Sequence, residues 1–188
     1  MKKGRIIGLT GRAGTGKSTA ALYLVEHREF IRVPFAAPLK RMLRSLGLTD
    51  RETDGDLKEQ PCDLLMGKTP RFAMQTVGTE WGRALIHPDL WVELWRRDAA
   101  RLLMSGHCVV ADDCRFPNEA SAIRSLGGKL IGIRTDEALD PVVAWHASEA
   151  QALEPDARIL NGKVSLDDFH ARIDGALEFL AKESRHAG

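Results

Sequence analysis

The chain has 188 residues, enough for one globular domain with an excursion and too few for two full ones. With 27 Lys plus Arg against 26 Asp plus Glu the formal net charge is +1, which excludes a protein that holds nucleic acid by massed phosphate neutralisation. A composition that is 44% hydrophobic and 28% charged excludes disordered and fibrous classes.

The basic start Met1-Lys2-Lys3 leads into an apolar stretch that ends before Gly11, too short for a signal-peptide core or a membrane span. A cytoplasmic protein with no membrane partner is expected. Cys62, Cys108 and Cys114 form no CxxC, and with six scattered histidines they offer no zinc-type spacing, so free thiols are expected.

Short apolar runs at residues 5–10, 30–36, 107–112, 129–134 and, more weakly, 158–161 alternate with helical patterns. Runs that are apolar throughout, with helices between them, predict a three-layer, doubly wound parallel sheet of about five strands with both faces covered. The first run leads directly into Gly11-Arg-Ala-Gly-Thr-Gly16-Lys17-Ser18, which fits GxxxxGK[ST] and opens a helix-compatible stretch. Glycines are needed there because the loop must turn sharply and aim successive N–H groups at phosphate oxygens with no Cβ in the way. Gly11, Ala13, Gly14, Thr15, Gly16, Lys17, Ser18 and Thr19 are therefore the candidate triphosphate-binding residues. Lys17 supplies a mobile charge for the β- and γ-phosphates, and the Ser18 hydroxyl suits Mg2+.

Between the second and third runs lie roughly seventy residues, where a plain crossover needs little more than a dozen, so an insert is expected. Residues 50–70 are polar and carry Gly55, Pro61, Gly67 and Pro70, which predicts a loop or helical flap, followed by a helix near residues 72–86. Asp89 then caps a helix whose Trp91, Leu94, Trp95, Ala99, Leu102 and Leu103 fall on one face, which makes both tryptophans core residues. The third strand ends in Asp112-Asp113, and strand carboxyl ends are where open α/β sheets take ligands. One of the two faces the phosphate loop and serves the magnesium; strand parity leaves open which. Ser165 and Asp168 form a capping box ahead of a last helix.

Five segments together, Ile7 through Ser18, Phe35-Ala-Ala-Pro-Leu-Lys40, Met74-Gln-Thr-Val-Gly-Thr-Glu-Trp-Gly-Arg83, Asp112-Asp-Cys-Arg-Phe-Pro-Asn-Glu119 and His146-Ala-Ser-Glu149, resemble the phage-type deoxynucleoside monophosphate kinases. The resemblance spans most of residues 5–162 and implies a P-loop NTPase fold of the nucleoside-monophosphate-kinase kind. It implies one kinase domain over residues 1–188, with a helical substrate-binding insert at about 37–88 and a short lid at about 135–157. The implied activity is transfer of the γ-phosphoryl group of ATP to a deoxynucleoside 5'-monophosphate, with Mg2+. The implied partners are small nucleotides and no nucleic acid; a homodimer is compatible with the sequence.

A second anionic substrate needs its own cations, and Lys40, Arg71, Arg83 and Arg115 supply them within or beside those segments. Gln75 and Glu80 are candidates for the base edge, Trp81 for packing against the base, and Glu119 for a substrate contact. The same helix has the alternative task of burying Met74, Val77, Trp81 and Ile86. The lid segment holds no Lys or Arg and six acids, Asp136, Glu137, Asp140, Glu149, Glu154 and Asp156, so it is acidic and no lid arginine is available. Transition-state charge then falls to Arg115 and Arg134. His146, Ser148 and Glu149 fit either a helix start or a catalytic contact. Two alternatives stand beside the kinase reading. One is a kinase of another small molecule such as dephospho-coenzyme A, whose family opens with a similar Ile-Gly-Leu-Thr-Gly but needs an acidic pair that Phe35 to Lys40 lacks. The other is a nucleotide-regulated binding module without turnover.

Overall fold

Continuously apolar runs bury both faces of a strand, and each of the five runs forms one. A computed structural model describes residues 4–135, 153–162 and 164–186. In chain order the elements are β1 Ile6–Thr10, α1 Lys17–Arg28, β2 Phe30–Arg32, α2 Ala37–Ser45, α3 Asp50–Thr53, 3₁₀ turns at Asp56–Glu59 and Asp63–Leu65, α4 Pro70–Gln75, and a π-helix at Thr76–Ile86. There follow α5 Leu90–Met104, β3 Cys108–Ala111, α6 Pro117–Ser125, β4 Lys129–Arg134, β5 Ala157–Leu160 and α7 Leu166–His186.

The chain forms two compact units, Met1–Pro34 with Asp98–Gly188, and Phe35–Arg97. The first holds a five-stranded sheet in the order β2-β3-β1-β4-β5, with every pairing parallel. On one face Ile7, Leu9, Val110, Ile131, Ile133 and Ile159 pack with Ala20, Leu24, Phe169, Ile173 and Leu177 of α1 and α7. On the other, Gly8 lets α6 lie directly on β1, since a Cβ there would stand 2.4 Å from Ile123 Cδ1. The sheet reverses its winding around β1, and β3 and β4 flank it, so the loops after β1 and β3 open at the switch point where such sheets bind ligands.

The second unit has its own core of Leu39, Leu43, Leu48 and Trp91, with Met74, Val77, Leu90 and Leu94 packed against it. Trp91 and Trp95 are buried, as their helical spacing predicts, and Trp95 stacks on Phe35 with ring centroids 4.3 Å apart.

Some boundaries differ from the sequence reading. The run at residues 30–36 pairs only as far as Arg32, with one further rung from Val33 N–H to the Val110 carbonyl at 2.8 Å. Pro34 has no N–H to continue the ladder, and the chain leaves the sheet for the second unit. The polar stretch at 50–70 is more ordered than a loop: Thr49 and Glu52 form a reciprocal capping box that starts α3, and two 3₁₀ turns follow. The Ser165–Asp168 box forms, with Asp168 N–H donating to Ser165 Oγ at 3.1 Å. All three cysteines are free thiols; burial, with the nearby carboxylates of Glu119 and Asp113, pushes the Cys114 thiol far above its ordinary range. Among the described residues no helix is long and apolar enough to cross a membrane.

Candidate active site

Three glycines in the loop after β1 hold backbone angles that L side chains rarely adopt: Gly11 at φ 145°, Gly14 at 78° and Gly16 at 97°. At Gly11 a Cβ would also lie 2.3 Å from the Ile133 carbonyl oxygen. The loop delivers the chain into α1, whose first turn carries no acid and whose N-cap, Gly16, makes no side-chain hydrogen bond. Helix N-termini favour acids and polar caps, so this positive end is left for an outside anion. Ala13, Gly14, Ser18 and Thr19 are exposed, while Thr15 is buried and bonds back through Oγ1 to the Arg12 carbonyl at 2.9 Å. The Lys17 ammonium lies across the loop and donates to the carbonyls of Gly11 at 2.7 Å and Arg12 at 2.6 Å.

β3 runs beside β1, with Ile6, Ile7 and Gly8 opposite Val109, Val110 and Ala111, so the residues after β3 emerge next to the loop strand. Of the two aspartates there, Asp112 is buried and Asp113 is half-buried. The Asp112 Oδ2 accepts from Arg32 Nη2 at 2.7 Å, whereas its Oδ1 is buried with no hydrogen-bond partner. A buried carboxylate oxygen without a donor is poorly solvated, and its chemistry fits a hard divalent cation or the water such a cation carries. Arg32 escaped the sequence reading because it comes to Asp112 only through the β2-β3 pairing, which aligns Arg32 with Val110.

Arg115 is exposed just before α6. Glu119, expected as a substrate contact, is 3% exposed, and its Oε2 accepts from the backbone N–H groups of Arg115 at 2.7 Å and Phe116 at 3.0 Å. Pro117 opens the helix, so the amides just before it need an acceptor, and Glu119 is that acceptor. Arg134 is exposed at the end of β4. His146, Ser148 and Glu149, with the expected lid apart from its ends, lie outside the described residues.

In the second unit Lys40 donates to Asp54 Oδ1 at 2.5 Å, Arg44 bonds the other Asp54 oxygen, and Arg71 pairs with Glu59. Lys58 was not singled out from the sequence, because its polar stretch reads as a loop. Burial lowers its ammonium below the ordinary range, and the positive charges of Lys40 and Arg71 push it the same way against Asp54 and Glu59. Lys40, Lys58 and Arg71 therefore share one neighbourhood with the carboxylates of Asp54 and Glu59, to which Lys40 and Arg71 are paired. In the helix at 72–86 Met74 and Val77 pack into the core, but Trp81 and Ile86, expected to be buried with them, are exposed, as are Gln75 and Glu80. Arg83 Nη1 donates to the Pro88 carbonyl at 3.2 Å.

No protein-family profile matches the chain. A protein of Acanthamoeba polyphaga mimivirus named deoxynucleotide monophosphate kinase is 36% identical over 89% of this chain and 93% of its own length. The chain belongs to the deoxynucleotide monophosphate kinase family. A deoxynucleoside-5'-monophosphate kinase of Escherichia phage T5 is 30% identical over a shorter stretch, 44% of this chain and 34% of that protein. The adenylyl-sulfate (APS) kinase CysC of Mycobacterium tuberculosis, solved with AMPPNP and APS, superposes with a TM-score of 0.55 over 95% of this chain and 99% of that one. At 15% identity that likeness shows the fold, the α/β P-loop NTPase architecture, in which this kinase presents its glycine-rich loop.

Proposed function

We propose that this kinase moves the γ-phosphoryl group of ATP directly onto a deoxynucleoside 5'-monophosphate in the cytoplasm, giving the diphosphate and ADP. The observation that carries the reading is the loop from Gly11 to Ser18, which leads into a helix start with neither acid nor cap, with the Lys17 ammonium resting on loop carbonyls. Lys17 exchanges those carbonyls for the β- and γ-phosphate oxygens when the donor docks. Gly11 to Thr19 line the donor site through backbone N–H groups and the hydroxyls of Ser18 and Thr19.

Ser18, Asp112 and Asp113 are the residues that would hold Mg2+, which supplies charge neutralisation on the donor phosphates when bound. Arg32 aims the Asp112 carboxylate by donating to one of its oxygens. Lys40, Lys58 and Arg71, with Arg83, hold the acceptor phosphate, and Gln75, Glu80 and Trp81 meet its base. An acceptor phosphate oxygen attacks the γ-phosphorus while the bond to the β–γ bridging oxygen breaks, and ADP leaves with that electron pair. Arg115 and Arg134 neutralise charge that spreads over the transferring group, and Glu119 serves by fixing the backbone from which Arg115 projects. The acceptor is already ionised, so no general base and no covalent enzyme intermediate are required.

An ADP-release assay with magnesium-ATP and a panel of deoxy- and ribonucleoside monophosphates plus dephospho-coenzyme A tests this. Stimulation by one or more deoxynucleotides, above that by the matching ribonucleotides, is the expected result. Stimulation by dephospho-coenzyme A alone, or by no acceptor at all, overturns it.

A further inference from the structure

The peptide that joins Thr15 to Gly16 is held from outside the phosphate loop. Thr15 is 2% exposed, and its carbonyl oxygen accepts a 3.0 Å hydrogen bond from the side-chain amide of Asn161. Asn161 follows β5 directly, and its own N–H donates to the Arg134 carbonyl at 2.6 Å, which extends the pairing of β4 with β5 by one residue. The donor thus stands on the sheet. Gly16, at φ 97°, leaves room for it, since a Cβ there would lie 2.4 Å from Asn161 Nδ2.

A trans peptide points its C=O and its N–H in opposite directions. Fixing the Thr15 carbonyl toward Asn161 therefore turns the Gly16 N–H away from Asn161. A glycine tolerates either orientation of the preceding peptide plane, so Gly16 by itself does not select one. The buried carbonyl would also lose its partner on flipping, which a 2% exposed residue cannot recover from water.

We infer that Asn161 is a positioning residue of the phosphate-binding loop, orienting the Gly16 N–H toward the donor phosphates; this rests on reading that loop as the ATP site. Asn161 touches no reacting atom. It preorganises a donor that would otherwise have to be ordered when nucleotide arrives.

Two variants test the assignment. Asn161→Ala removes the donor, and Asn161→Asp sets a carboxylate oxygen against the Thr15 carbonyl. ADP affinity is measured by calorimetry, KM for ATP and for the acceptor by the coupled assay, and the Gly16 amide by its ¹⁵N–¹H resonance. Asn161→Ala is expected to weaken ADP binding roughly threefold to tenfold, with a larger loss in Asn161→Asp. The Gly16 amide resonance moves in the ligand-free protein, and the acceptor KM at saturating ATP stays the same. Unchanged ADP affinity with an unmoved Gly16 resonance in Asn161→Ala overturns the inference, even if its melting temperature falls, because a purely structural bond would lower stability alone. Should Asn161→Asp fail to fold, Asn161→Ala decides. A parent protein that takes up no ADP overturns the donor-site reading, and the inference with it.

Discussion

Lys17 donates to the carbonyls of Gly11 and Arg12 in the loop it follows, and on the proposed reading it exchanges them for phosphate oxygens. Lys17→Ala is expected to lower kcat/KM by roughly 10²- to 10³-fold, the scale of losing one preorganised transition-state donor, while the melting temperature stays within a few degrees. A coupled assay and a thermal melt check both halves. Lys58 behaves in the opposite sense. Its folded-state pKa is lowered by burial and by Lys40 and Arg71, so the charged form is disfavoured by folding, and the cost is present below the unfolded pKa of about 10.4. Lys58→Met should therefore raise the melting temperature at pH 7 by about 1–3 °C while raising the acceptor KM and leaving the ATP KM alone. The gain should fade as pH rises toward 10, where the parent loses the same charge. A variant that melts lower at pH 7, or shows an unchanged acceptor KM, removes Lys58 from the anion site. The contrast between these residues also explains what was legible. Lys17 sits in a motif of consecutive residues, and the strand-end rule picked out the pair Asp112-Asp113 without deciding between them. Arg32 meets Asp112 across 80 positions and Asn161 meets Thr15 across 146, through a strand order that no local pattern encodes.

At the scale of elements, the strands were legible because a parallel sheet covered on both faces leaves an unbroken apolar signature; Pro34 cut the second run short, and the ends of β1, β3 and β5 moved by one residue each. The helix at 72–86 was legible as a helix and not as a π-helix. Met74 and Val77 pack inward, but beyond Thr76 the wider turn, sealed by His87 N–H to the Gly82 carbonyl at 3.0 Å, carries Trp81 and Ile86 to the surface. Trp91 stabilises that register by donating from Nε1 to the Gly78 carbonyl at 2.8 Å, and its indole lies where a Cβ on Gly82 would come within 2.5 Å. Gly82→Ala forces a buried ring to move, so a loss of roughly 1–3 kcal/mol is expected in denaturant melts, together with a raised acceptor KM. A variant as stable as the parent would show that Trp91 yields freely. On the other unit, α1 and α7 are tied by Asp174, which accepts from Arg28 Nε at 2.8 Å and from Tyr23 Oη at 2.7 Å. Burial pushes the Asp174 carboxyl up, but the bonds from Arg28 and Tyr23 and the Arg28 charge outweigh it and hold the carboxyl below its ordinary range. A lowered folded-state pKa contributes stability above the unfolded value of about 3.9 and loses it as pH falls through the folded one. Asp174→Asn should be less stable than the parent at pH 7, with the difference closing below about pH 4. A gap that stays constant across that range would assign the loss to packing.

For the whole molecule, a chain of 188 residues predicts one core, whereas among the described residues separate cores lie under the sheet and in Phe35–Arg97. The insert was visible as excess length between the second and third strands. Its independence was not, because a short polar stretch with several glycines and prolines carries no sign that α3 and its neighbours will pack around Leu39 and Trp91. On the proposed reading the two substrates have separate footprints. The proposed donor residues are in the first unit, whereas the proposed acceptor residues Lys40, Lys58, Arg71, Gln75, Glu80, Trp81 and Arg83 all belong to the second. Hydrogen exchange reads this directly, since a ligand slows local opening of the segments it contacts. A non-hydrolysable ATP analogue alone should protect amides at residues 11–20, and a deoxynucleoside monophosphate alone should protect amides within residues 35–97. At ligand concentrations near 100 times Kd, mass action adds about 2.7 kcal/mol, which for a chain of this size raises the melting temperature by about 5–10 °C. Acceptor-induced protection confined to the sheet unit would move the acceptor site away from Lys40, Lys58 and Arg71 and leave their crowding without a ligand to explain it.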